Sequence, residues 1–143
     1  MWLFYALLSA VFASLTAILA KVGIKNVDSN LATAVRTVVV TLLAWGIVLF
    51  RKSASGVGLS EQISALSSMN WTFLVLSGIA TGLSWLCYFK ALQLGKVSQV
   101  APVDKLSLAL TILLSVVFLG EVLTWKIALG AALIVGGTLV LIL

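Results

Sequence analysis

The chain has 143 residues, of which 62% are hydrophobic and only 9% charged. A soluble domain of this size carries about a quarter charged residues, so the composition excludes one and points to an integral membrane protein. The net charge of +5 does not imply a nucleic-acid partner, because basic residues flanking membrane spans follow from topology and from attraction to anionic lipid.

Five segments are long and apolar enough to cross a hydrocarbon layer, which takes roughly 20 residues of helix: 2–20, 31–50, 71–89, 97–120 and 127–143. With their flanks they predict spans at about 2–22, 31–50, 71–92, 98–120 and 124–143. The expected architecture is all-α, a polytopic membrane bundle of five helices in one domain covering 1–143. The first segment lacks a basic leader and its apolar run exceeds that of a secretory signal, so it is expected to be retained. Its Ala10, Ala13 and Ala17 lie on one small-residue stripe.

If the N-terminal face is side A, the second span starts at side B with "LATAVRTVVV", placing Arg36 less than two turns inside that face. The side A loop, "RKSASGVGLSEQISALSSMN", carries Leu59, Ile63 and Leu66 at helical spacing, the pattern of a short interfacial helix; a solvated loop is the other reading. The third span holds a Gly78-x-x-x-Gly82 pair and runs back to side B, where Trp85 and Tyr88 fall. Cys87, the single cysteine, is read as a small apolar packing residue.

The fourth segment contains the only proline, in "VAPVDKLSLAL". Between Lys105 and Glu121 lie 15 residues, about 22 Å of helix against a hydrocarbon core of about 30 Å. Either the bilayer thins there or Asp104 and Lys105 sit at membrane depth, where charges face a cavity or a partner. Two readings of the backbone stand. A helix starts near Pro102, with "KVSQVAP" irregular as in transporters with broken helices; or a continuous helix runs from Ser98 with a mild kink. As neighbours on a helix, Asp104 and Lys105 point about 100° apart and are expected to need separate partners. The alternatives are a helix-terminal cap for Asp104 and a snorkelling side chain for Lys105. The fifth span carries Gly130 and Gly136. Gly130, Gly136, Gly78, Gly82 and the alanine stripe are helix-packing candidates, serving a dimer interface or packing within one chain. Trp2, Tyr5, Phe50, Trp71 and Trp125 mark the side A ends as an aromatic belt.

The side B third thus gathers Lys21, Arg36, Trp85, Tyr88, Asp104 and Lys105, an excess of positive charge with aromatic surfaces. It fits an anionic or zwitterionic solute, or lipid phosphate. With no histidine, no nucleophile–base set, no metal-ligand cluster and no phosphate-binding glycine loop, neither a catalytic residue nor a metal or other cofactor is expected, and the chain is not read as an enzyme.

The arginine of "LATAVRTVVV", the run "GLSWLCYFKALQLGKVSQVAPV", the turn "LSVVFLGEVLTW" and "GAALIVGGTLVL" together resemble one repeat of the drug/metabolite transporter superfamily, of the EamA type, over essentially the whole chain. The "VDK" after the proline departs from the apolar or small residues common there. The resemblance implies a transporter of small organic solutes or metabolites, with five spans standing where the common form has two five-span repeats around the substrate.

Loop and span-end charge bears on how a second repeat is supplied. Side A has Arg51, Lys52 and Lys126; side B has Lys21, Lys25, Lys90 and Lys96. So small a bias permits insertion in both orientations; counting Arg36 and Lys105, which lie within spans near side B, makes it three against six and favours side B in the cytoplasm. The expected partner is a second copy in an antiparallel, dual-topology homodimer, alongside the lipid bilayer and a small-molecule solute. A parallel dimer or a heterodimer with another half-sized protein are the alternatives. Asp104 is the expected proton-coupling group, since an intramembrane carboxylate can exchange a proton with substrate. The expected location is the cell's inner (plasma) membrane. A non-transporting assembly or lipid-binding subunit is the competing class.

Overall fold

A computed structural model describes residues 2–55 and 58–143. Positions 56–57 of the side A loop, and the Arg51 and Lys52 side chains, lie outside the described residues. Among the described residues seven helices follow one another: α1 (Trp2–Gly23), α2 (Ser29–Ser55), α3 (Leu59–Ser64), α4 (Ser68–Leu94), α5 (Val97–Asp104), α6 (Leu106–Leu119) and α7 (Trp125–Ile142). Among the described residues there is no strand. Five stretches are long and apolar enough to cross a membrane: Trp2–Gly23, Ser29–Phe50, Ser68–Leu94, Val97–Leu119 and Trp125–Ile142. The fold is all-α with five candidate spans, as the hydropathy pattern requires. At most 6% of any span is buried within the chain, so nearly all of this apolar surface is left for lipid or a protein partner to cover.

The chain divides into two compact units, one joining the residues up to Val22 with Ala91–Leu143, the other Gly23–Lys90. In the second, Asn26 takes a left-handed φ of 64°, which asparagine tolerates better than other side-chain-bearing residues. Asp28 then caps α2: its Oδ1 accepts the amides of Asn30 (2.9 Å) and Leu31 (3.1 Å). The carboxylate satisfies amides that have no intrahelical partner and sits at the positive end of the helix dipole. Ser67 Oγ accepts the Asn70 amide at 3.2 Å at the start of α4. These caps start α2 and α4 two to three residues ahead of the expected Leu31 and Trp71. The short helix at Leu59–Ser64 replaces part of the side A loop; Glu61 Oε2 accepts the Gly58 amide at 3.3 Å.

In the first unit, α5, α6 and α7 pack against one another. The segment after Lys96 is helical from Val97, with Pro102 inside α5. This corrects the reading in which Pro102 opens the helix after irregular backbone. Proline here removes one bond, the one its amide would give to the Ser98 carbonyl, close enough to the helix start for the preceding turn to survive. The ladder is interrupted at Lys105 instead. Its amide is shared between the Ala101 (3.3 Å) and Pro102 (3.0 Å) carbonyls, and the buried Thr138 of α7, whose hydroxyl donates to the Ile134 carbonyl of its own helix at 2.8 Å, also reaches the Pro102 carbonyl at 3.3 Å. That carbonyl is thus taken up by a tightened turn and by another helix. Gly120 ends α6 at φ 66°, a left-handed cap that glycine reaches without a Cβ penalty. Thr124 Oγ1 accepts the Ile127 amide at 3.4 Å and starts α7.

Gly95, between α4 and α5, is sterically required. A Cβ there would meet Val100 Cγ2 at 2.9 Å and the Ala91 carbonyl oxygen at 3.3 Å, and the β-branched valine has little rotamer freedom to move aside. Gly95→Ala is expected to destabilise the protein by about 1–3 kcal/mol, read as a lowered thermal midpoint in neutral detergent. Gly46→Ala, where nothing lies within 4 Å, is the control without steric cost.

Candidate functional site

Arg36 lies seven residues after the start of α2, about 10 Å along its axis at the usual helical rise. Its guanidinium carbon sits 4.5 Å from the centre of the Trp85 ring and 5.2 Å from that of Phe89. Residues 85, 88 and 89 are spaced i, i+3, i+4, which puts three rings on one face of α4. Tyr88 meets Phe89 edge-on, centroids 6.3 Å apart at 71°, and its phenol lies within electrostatic reach of Arg36. Phe89 is only 2% exposed. It was not singled out from sequence, although its position four residues after Trp85 is the signal that would have found it. Quadrupole attraction between a cation and ring faces fixes such a side chain without neutralising its charge.

The α2 face carrying this site is polar but satisfied. Thr33 Oγ1 donates to the Ser29 carbonyl and Thr37 Oγ1 to the Thr33 carbonyl, each at 2.8 Å, so the buried Thr33 hydroxyl costs little. An open groove of about 540 Å³ is lined by Ser29, Asn30, Leu86, Cys87 and Lys90 of the same two helices.

Asp104 and Lys105 belong to the other unit. They form an ion pair with each other, Lys105 Nζ to Asp104 Oδ2 at 3.3 Å, with side chains 51% (Lys105) and 35% (Asp104) exposed. This corrects the expectation that the two need separate partners. Lys105 is the turn residue between α5 and α6, and its four-carbon stem curls back across the break. The structure therefore brings Arg36, Trp85 and Tyr88 into one cluster and Asp104 with Lys105 into a second. Lys21, expected as a boundary charge, donates to the Leu92 (2.5 Å) and Gly95 (2.8 Å) carbonyls.

Of the packing candidates, Ala17 is buried while Ala10 and Ala13 are exposed. Gly78, Gly82, Gly130 and Gly136 have nothing within 4 Å of the place a Cβ would take. Cys87 is exposed, which corrects its reading as a packing residue within the chain; its face of α4 lines the groove. Among the described residues no group of histidine, cysteine, aspartate or glutamate has the arrangement to hold a metal ion.

Against known proteins, the family described as the EamA-like transporter family matches residues 1–143. A Sinorhizobium protein described as an uncharacterized transporter in the cobO 3' region is 46% identical over 140 residues, covering 98% of this chain and 95% of its own. No solved structure matches.

Proposed function

The chain belongs to the EamA-like transporter family, and from that premise we propose that it is a secondary transporter of small organic solutes, working by alternating access as an antiparallel homodimer. It is an integral, multi-pass membrane protein; the proposal concerns its cargo, its partner and its coupling. The observation that carries it is the family match over a chain with an odd number of candidate spans, five. A second copy inserted upside down makes an inverted repeat, the arrangement from which many transporters build a site that opens to each side in turn.

Three further features support the reading. The relative is matched over 95% of its own length, so a protein of about this length recurs. Basic charge in the loops and at the span ends, Arg36 and Lys105 apart, is nearly balanced, as insertion in both orientations requires. The glycine pair of α4 and the glycines of α7 present small-residue surfaces with open space beside them, the kind of surface on which helices associate in lipid. In this reading Arg36, Trp85, Tyr88, Asp104 and Lys105 line the solute path, and Asp104 carries the coupling proton.

Dual topology is checked with a single cysteine placed at one terminus or the other in a Cys87→Ser background, probed in whole cells with a membrane-impermeant thiol reagent. Each terminus is expected to label partly from outside and fully only after permeabilisation. A terminus reached from one side alone rules out the antiparallel dimer. Flux of pooled metabolites into proteoliposomes tests transport itself: no solute moved, with the protein folded and dimeric, favours the assembly-subunit class instead.

A further inference from the structure

We infer that the Arg36 cluster recognises an oxyanion, a carboxylate or phosphate group carried on an apolar or aromatic body. The inference names the ligand chemistry of the site and rests on the transporter reading for its role, though not for its binding. A guanidinium this far along a span is costly unless it snorkels, pairs or binds something. Arg36 does not snorkel away: it is held over the Trp85 and Phe89 rings. Nor does its unit supply a counter-ion. The two acids there are engaged elsewhere, Asp28 on the Asn30 and Leu31 amides and Glu61 on the Gly58 amide. The Asp104–Lys105 ion pair belongs to the other unit.

Ring faces attract the cation but return no negative charge. A guanidinium carries five donors in a planar fork, the geometry that meets two oxygens of one carboxylate or phosphate. Bidentate pairing of that kind is strongest where water is excluded. The partly exposed Trp85 adds flat apolar surface for the body of the ligand, while the buried Phe89 backs the guanidinium from within. A free solute and an anionic lipid headgroup share this chemistry.

The test uses the purified full chain in a neutral detergent, with thermal stability read against concentration. The probes are phenylacetate, phenyl phosphate, the neutral phenylacetamide, the cationic phenethylamine, and phosphatidylglycerol against phosphatidylcholine. Phenylacetate or phenyl phosphate is expected to bind about ten-fold more tightly than phenylacetamide, as a charge-assisted bond requires, and phenethylamine not at all. Arg36→Gln is expected to erase that preference and Arg36→Lys to keep part of it. Stabilisation by phosphatidylglycerol alone, lost in Arg36→Gln, assigns the oxyanion to lipid; stabilisation by the soluble anions assigns it to solute. Equal binding of carboxylate and amide by the wild-type chain overturns the inference, whether or not the variants fold. So does anion binding unchanged in Arg36→Gln, or none at all. Anion binding without flux would remove the transport reading and leave this one standing; flux confined to cations or neutral solutes would do the reverse.

Discussion

Asp104→Asn is expected to abolish pH-driven solute flux in proteoliposomes while expression and stability in detergent stay near wild type. The stability half follows from the site. Both side chains of the Asp104–Lys105 pair are substantially exposed, and such pairs contribute at most about 1 kcal/mol. The flux half follows from chemistry. An amide of nearly the same shape keeps the hydrogen-bonding outline of the carboxylate but cannot take up or release a proton. Flux that persists yet no longer responds to an imposed pH gradient would be the sharpest sign of a coupling role. PH-driven flux at the wild-type rate eliminates Asp104. Lys105 supplies the control for charge alone, because Asp104→Asn leaves its ammonium without its acid. The double variant Asp104→Asn/Lys105→Met restores the local charge. If repair of charge restores coupling, Asp104 serves to balance Lys105; if coupling stays lost, it carries the proton.

The spans were legible in the sequence because a bilayer imposes one dominant demand, about 20 apolar residues per crossing, and this chain has few charges to blur it. What hydropathy does not see is where the backbone finds its terminal hydrogen bonds. Asp28 and Ser67 extend α2 and α4 beyond their apolar windows by capping them. At Pro102 two backbone readings stayed open for a related reason. Its own missing bond is local, whereas the interruption at Lys105 involves the Thr138 hydroxyl of α7, 36 positions away in the chain. The Asp104–Lys105 pair escaped because the 100° rule assumes the continuous helix that this interruption removes. At the arginine site, sequence gave depth and direction, enough to level Arg36 with Trp85 and Tyr88. It left out Phe89, since one more phenylalanine in an apolar helix carries no mark of its own until a cation is seen above its ring.

Lys21→Met is expected to be the most damaging single change at a charged position, costing about 2–3 kcal/mol of stability. By sequence Lys21 is one more basic residue at a span end. In the structure its ammonium donates to the Leu92 and Gly95 carbonyls, where α4 ends. Carbonyls in a last helical turn have no intrahelical donors and carry the negative end of the dipole. The lysine answers both needs, and Leu92 beside it is wholly buried, so water cannot readily replace the lost donor. The bonds tie the end of α1 to the α4–α5 connection, the segment where Gly95 already tolerates no Cβ. Methionine keeps the length and apolar stem of lysine and removes only the donors, which makes the comparison clean. Lys25→Met and Lys96→Met remove equal charge at exposed positions and are expected to leave the thermal midpoint nearly unchanged. Because the acceptors are partly buried carbonyls, not exposed carboxylates, the loss in Lys21→Met should persist at high salt, where a surface ion pair would already be screened. A Lys21→Met protein as stable as the two controls, or one that differs from wild type only at low salt, would show that the contact does not hold these helices together.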